Sequence, residues 1–258
     1  MSPDTEKQHN EIDALLGDLI TFYTQEQLSA GDIFHPVRVP VETRPPAAAE
    51  ETDPVELNAK KAARPDEVWR DAKTIQSFHE QICSCQKCPL GRTRTKFVFG
   101  TGNPQAKVMV IGEAPGADED AQGEPFVGRA GQLLNKILEA IHFKREEVFI
   151  CNILKCRPPN NRDPLPEEVD QCEPYLRKQI ALINPAAILC VGRIAGQTLL
   201  KTTRTLGELR GNVHSYENIP MMITYHPAAL LRNPNWKRPT WEDVQQFRAL
   251  YDKLTGTQ

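Results

Sequence analysis

From about residue 73 onward the apolar positions of this chain fall into two alternating textures. Lys107–Gly112 (KVMVIG), Val148–Leu154 (VFICNIL), Ala186–Gly192 (AAILCVG) and Met221–Tyr225 (MMITY) are short, nearly continuous apolar runs. They have the length of strands, and lacking polar alternation they predict strands covered on both faces. Between and after them, Gln132–His142, Pro166–Ile183, Ile194–Leu200 and Trp241–Leu254 repeat apolar residues at helical spacing. Strands alternating with helices predict an α/β fold: a three-layer sandwich whose central, mainly parallel, four-stranded sheet is flanked by helices. Ligands of such sheets bind just beyond the carboxyl ends of the strands. Three of the four runs lead directly into the unusual segments described below.

The first seventy-odd residues have a different texture. Glu11–Phe22 places Ile12, Leu15, Leu16, Leu19 and Ile20, with Tyr23 beyond, on one helical stripe. Val39–Pro54 (VPVETRPPAAAEETDP) is too poor in apolar residues to build a core and is expected to be a linker. The division expected is therefore an extension over residues 1–72 and a globular domain over 73–258.

Charge follows the same division. Residues 1–72 carry 7 basic and 15 acidic residues, a net of −8, which leaves +5 on residues 73–258 out of the overall −3. A modestly basic body behind an acidic segment suits an anionic partner such as DNA. MSPDTEKQHNE has neither the basic nor the apolar region of a secretion signal, and no run has the roughly 18 apolar residues of a membrane span. A cytoplasmic protein without membrane contact is expected.

Seven cysteines, an odd number spread along the chain, make a poor disulfide framework. Four have metal-site character: Cys85 and Cys88 in CQKC, then Cys156 and Cys172 after a gap of about seventy residues. Four thiolates suit tetrahedral zinc or an iron–sulfur cluster, and spacing does not separate the two. Cys83 offers a competing register in CSCQKC, whereas Cys151 and Cys190 lie inside apolar runs and are expected in the core.

Three segments carry candidate chemistry. GEAPGADED (Gly112–Asp120) turns sharply after the first run, bringing backbone amides close to a ligand. Its acids Glu113, Asp118, Glu119 and Asp120 could orient a water or bind a cation, although such charges are commonly solvated. The loop matches neither GxGxxG nor GxxxxGK[ST], so a nucleotide cofactor has little support. Nearby Phe126, in EPFVGRAG, suits either a stacking platform for a planar ligand or a core anchor. Asn152 interrupts the second run; alone it suits a structural amide, though its donor and acceptor could also pair with a base edge. After the last run comes YHPAALLRNP. There His226 is placed to donate to a substrate, or to serve structurally, while Leu230, Leu231 and Arg232 suit an exposed wedge and a phosphate contact.

Taken together, GEAPGADED, GEPFVGRAG, NILKCRPPNNRDP and HPAALLRNP stand in the order found in the family 4 uracil-DNA glycosylases, which the chain closely resembles over roughly residues 75–254. The resemblance implies a [4Fe–4S] cluster on Cys85, Cys88, Cys156 and Cys172, excluding Cys83. It makes Phe126 the ring that stacks on uracil, Asn152 the reader of its edge and His226 the partner of its O2. Glu119 matches a pocket carboxylate, and Glu113 belongs with Gly112 and Ala114 to the motif that positions water and contacts uracil. Where many members of the wider superfamily have an aspartate to activate water, this chain has Ala114, as is usual in family 4; Glu119, Glu113 or a backbone-held water are the remaining candidates. A monomeric enzyme is expected, removing uracil from single- or double-stranded DNA without lyase activity. The contrasting expectation is a non-catalytic iron–sulfur DNA-binding protein, tethered to a replication or repair protein by residues 1–72.

Overall fold

A computed structural model describes residues 65–256. The amphipathic stripe at 11–23 and the linker at 39–54 lie outside the described residues.

The described chain opens with a 3₁₀ turn, Pro65–Asp71, followed by helices α1 (Ile75–Ile82) and α2 (Leu90–Thr93). Strands β1 (Thr101–Gly102) and β2 (Val108–Gly112) lead to α3 (Ala117–Gln122) and α4 (Arg129–Ala140). Next come β3 (Phe149–Asn152), α5 (Pro166–Ile183), β4 (Ala187–Val191), α6 (Arg193–Leu200) and α7 (Leu206–Leu209). The chain finishes with β5 (His214–Tyr216), β6 (Ile219–Thr224), α8 (Pro227–Arg232) and α9 (Lys237–Thr255).

The sheet has six strands in the order β1-β3-β2-β4-β6-β5. Its centre, β3-β2-β4-β6, is parallel throughout and consists of the four expected strands. The two outer strands are antiparallel additions of two and three residues, too short to show a pattern in the sequence. Each has a local cause. At Gly102 the backbone lies so close to the Val148 carbonyl that no Cβ fits. Glu217 and Asn218 both hold positive φ, the signature of a two-residue hairpin between β5 and β6.

Side chains of β2 alternate between two cores, which makes the three layers explicit. Met109 and Ile111 face one apolar cluster with Phe78, Phe149, Cys190 and Leu176. Val108 and Val110 face the other, with Leu134, Leu138, Leu189 and Phe247. The first core reaches back beyond residue 73: Trp69 is buried, its ring 4.9 Å from that of Tyr175. A helix preceding the cysteine pair, α1, also escaped the sequence reading; its Phe78 and Ile82 seal this core. Among the described residues no helix is long and apolar enough to cross a membrane.

Candidate active site

Parallel register places Gly112, the last residue of β2, beside Asn152, the last residue of β3. The pairing continues past the strand ends, where Ile153 N–H donates to the Gly112 carbonyl and Leu154 N–H to that of Glu113, both at 3.0 Å. Asn152 is only 2 % exposed, and its side-chain oxygen has no hydrogen-bond partner. A buried acceptor left unmatched costs about 1–3 kcal/mol, so such a group in a folded chain calls for a ligand or a water. Gly112 makes room for it. A Cβ there would lie 2.4 Å from Asn152 Oδ1 and 2.6 Å from Phe126 Cζ.

Phe126 is buried at the wall of this recess with a positive φ of 54°, unusual for an aromatic residue. Several contacts hold it there. The Glu119 carboxylate accepts from Val127 N–H (3.0 Å) and Gly128 N–H (3.1 Å), and also from Gly116 N–H (3.1 Å). Arg145 donates to the Pro125 carbonyl at 2.7 Å, and Gly131 packs so tightly under the Phe126 carbonyl that no Cβ fits. The Phe126 ring also stacks with His226, at 5.5 Å between centroids and 28° between planes.

His226 caps the N-terminus of α8, its Nδ1 accepting from Ala228 N–H at 3.1 Å. That bond assigns the ring proton of the neutral form to Nε2. Burial, then the nearby Arg232 charge, lower its pKa to about 4 against the opposing pull of Glu119. The imidazole is therefore neutral at physiological pH and can donate from Nε2. It is packed closely, since a Cβ at Gly192 (φ 106°) would come within 3.2 Å of His226 Cβ.

The two candidate carboxylates differ in kind. Glu119 is committed to three backbone donors. Burial and the neighbouring Asp163 raise Glu113 to about 7, against the lowering effect of Arg193. Asp163 and Arg193, joined by a 3.1 Å ion pair, were missed in the sequence because they stand 50 and 80 residues from Glu113. Asp120 is structural, accepting from Thr95 N–H and Lys96 N–H. Ala114 is half-buried against the first core.

On α8, the expected exposed pair of leucines divides. Leu230 is 2 % exposed and belongs to the interior, because α8 packs against α4 and turns that position inward. Leu231 is half-buried and Arg232 exposed. A wedge on this helix would have to be Leu231.

Below the recess, Cys85, Cys88, Cys156 and Cys172 line one pocket together with Lys87, Phe97 and Tyr175. Cys83 points elsewhere, toward the Glu80 carbonyl, and Cys151 and Cys190 are core residues as expected. Burial pushes the Cys172 thiol up to about 12 and raises Cys156 as well. Donors nonetheless converge on these sulfurs: Arg94 Nη1 on Cys156 (3.2 Å), Lys155 N–H on Cys172 (3.3 Å) and Tyr175 Oη on Cys85 (3.3 Å). Lys155 was missed entirely. Fully buried, it donates from Nζ to the Asn152 carbonyl (2.7 Å) and to Gln179 Oε1 (2.6 Å), linking recess and cysteine pocket.

At the carboxyl edge of a parallel-centred sheet an aromatic ring, an amide and an imidazole thus come together. The family model described as the uracil DNA glycosylase superfamily matches residues 99–246, and the chain belongs to that superfamily. Within it the similarity is to the type-4 enzymes. The type-4 uracil-DNA glycosylase of Archaeoglobus fulgidus is 42 % identical over 193 residues, covering 72 % of this chain and 97 % of its own. That of Thermotoga maritima is 40 % identical over 183 residues, covering 69 % and 95 %. A type-5 uracil-DNA glycosylase of Pyrobaculum aerophilum is more distant, at 31 % identity over 66 % of this chain.

Proposed function

We infer that this chain is a uracil-DNA glycosylase, a hydrolase of N-glycosyl bonds, with Phe126, Asn152 and His226 as its uracil pocket. The observation carrying the pocket assignment is the buried, unpartnered Asn152 oxygen against the Phe126 ring and the bare Gly112 backbone.

A uracil inside duplex DNA is out of reach, so it has to leave the stack and enter the recess. There its ring lies on Phe126. Asn152 Oδ1 accepts from N3–H while its amide donates to O4. Cytosine reverses both polarities and would leave buried groups unmatched, which is how a site rejects a near-isostere. His226 donates from Nε2–H to O2.

As the bond between N1 and C1′ breaks, its electron pair leaves with the uracil, and negative charge grows on O2 opposite that donor. Water adds to C1′ and loses a proton, leaving an abasic sugar. We assign the positioning of that water to Glu113 and the backbone at Gly112 and Ala114. Glu119 holds the Phe126 loop instead, since its oxygens already serve three N–H groups. Leu231 fills the space left in the stack, and Arg232 contacts a phosphate. The same groups serve single- and double-stranded DNA.

The four cysteines line one pocket, a donor set that suits a metal centre, and the similarity to type-4 uracil-DNA glycosylases favours an iron–sulfur cluster over zinc. We assign a [4Fe–4S] centre to Cys85, Cys88, Cys156 and Cys172. Bound there, it would supply covalent ties among three separate segments. Arg94 and Lys155 donate to the Cys156 and Cys172 sulfurs that would hold it, and Lys155 also supports Asn152. Residues 1–72, with their net charge of −8, we assign to docking on a replication or repair protein, and the enzyme itself to a monomer.

The test is incubation of the purified chain with a uracil-containing oligonucleotide, followed by alkali. Strand breaks at uracil are expected with wild type, and their absence would exclude the enzyme. Asn152→Ala and His226→Ala should each lose most activity while still binding DNA. Full activity in both would move the pocket elsewhere.

A further inference from the structure

Beside the pocket stands a ring that the uracil chemistry leaves unused. Trp236 follows α8 in the 3₁₀ turn Pro234–Trp236 and is 37 % exposed. Among the described residues it is the only exposed phenylalanine, tyrosine or tryptophan. A lone surface aromatic needs no explanation in itself. This one has neighbours that point to a ligand.

One neighbour is Tyr225, the residue before His226, on which Trp236 lies almost parallel at 5.0 Å and 14°. Arg210 sits over the Tyr225 ring at 5.4 Å, itself locked by two hydrogen bonds to Asp243 and one to the Pro239 carbonyl. The turn is equally fixed. Asn233 Oδ1 accepts from Asn235 N–H, Trp236 N–H donates to the Asn233 carbonyl, and Thr240 donates to the Trp236 carbonyl. Trp236 is thus a preorganised surface ring, joined through Tyr225 to the wall of the pocket.

The surrounding charge is positive. Arg232 precedes the turn and Lys237 follows it. Lys237 is half-buried, and that burial, then the charge of Lys136 on α4, lowers its pKa. An exposed aromatic with adjacent cations is the arrangement that holds unpaired bases of single-stranded nucleic acid.

We propose that Trp236 is a stacking platform for an unpaired base next to the extruded uracil, so that it selectively strengthens the hold on single-stranded DNA. In a duplex that neighbouring base is paired and cannot reach the ring. The proposal rests on the uracil reading above.

The test compares full-length wild type, Trp236→Ala and Trp236→Phe on single-stranded and duplex oligonucleotides carrying one 2′-fluoro-2′-deoxyuridine, which resists cleavage. Trp236→Ala should bind the single strand about 5- to 150-fold more weakly, the range set by loss of one base–aromatic stack. Duplex affinity should change less than about twofold, and Trp236→Phe should retain most single-strand affinity. Tryptophan fluorescence of wild type should be quenched by the single strand and that of Trp236→Phe much less, since Trp69 is buried and Trp241 packs on the second core. Equal losses on both substrates, no loss on either, or quenching that persists in Trp236→Phe would each overturn the platform. Cleavage of an ordinary uracil oligonucleotide by wild type, run alongside, shows separately whether the uracil reading stands.

Discussion

Substituting Glu119 tests whether its carboxylate does chemistry or holds a loop. Replacing it with alanine removes three hydrogen bonds of 3.0–3.1 Å from backbone N–H groups to a charged acceptor. Bonds of this kind contribute about 1.5–3 kcal/mol each. Glu119 is only half-buried, and the freed N–H groups of Val127 and Gly128 would regain some hydration, so the lower end applies, with further discount. A total near 3 kcal/mol is the expected loss of stability. For a folded domain of this size each kcal/mol moves the Tm by about 2–4 °C, giving a fall of about 6–12 °C. Glutamine should be milder. It can keep the oxygen facing Val127 and Gly128 while setting an amide donor against Gly116 N–H, at a cost of about 1–2 kcal/mol. Because this carboxylate pins the residues that follow Phe126, both variants should raise KM more than they lower kcat. Differential scanning fluorimetry and steady-state excision kinetics on the same preparations check both halves. If Glu119 were instead the general base, Glu119→Gln would cost about 100- to 10,000-fold in kcat with Tm unchanged. That outcome would refute the loop-holding role.

Three further outcomes are expected. Gly112→Ala puts a methyl 2.4 Å from Asn152 Oδ1 and 2.6 Å from the Phe126 ring, within a buried strand that cannot yield. Excision kinetics should show kcat/KM at least about 100-fold lower, the scale of an ångström-sized misplacement. If Glu113 positions the water as a carboxylate, its pKa, raised to about 7, makes kcat/KM rise through pH 7 and level off above it. His226, depressed to about 4, adds no titration in that range, and Glu113→Gln should flatten the profile. In Cys172→Ser, iron per chain and Tm should both fall; unchanged iron content would remove Cys172 from the ligand set.

The central strands were legible because a parallel sheet buries both faces. The apolar runs at 107–112 and 186–192 became β2 and β4 within a residue at each end. Helix α5 was equally clear, with Pro166 at its start and Asn184 in the left-handed conformation at its end. Outer strands of two and three residues carry no period to detect, and α4 begins three residues earlier than its apolar stripe suggested. At the site, residue types were readable but partners were not. Leu230 and Leu231 are equivalent as letters, and only the packing of α8 against α4 decides that Leu230 faces inward. Lys155 gave no signal, since a lysine that donates to Gln179, twenty-four residues further on, resembles a surface lysine until the fold is closed.

By itself, the sequence determined the four central strands, the pairing of cysteines into a metal-site pattern and the motifs that mark the family. Each is local, written in burial along a strand or in spacing along a turn. The tertiary structure alone decided that Glu113 would be half-buried near Asp163 while Glu119 was consumed by backbone donors. It also decided that the Asn152 oxygen would be left without a partner. The physical reason lies in the strand order β3-β2-β4-β6. It brings the ends of segments separated by 33 to 112 residues to one edge of the sheet, where desolvation and neighbouring charges set what each group can do.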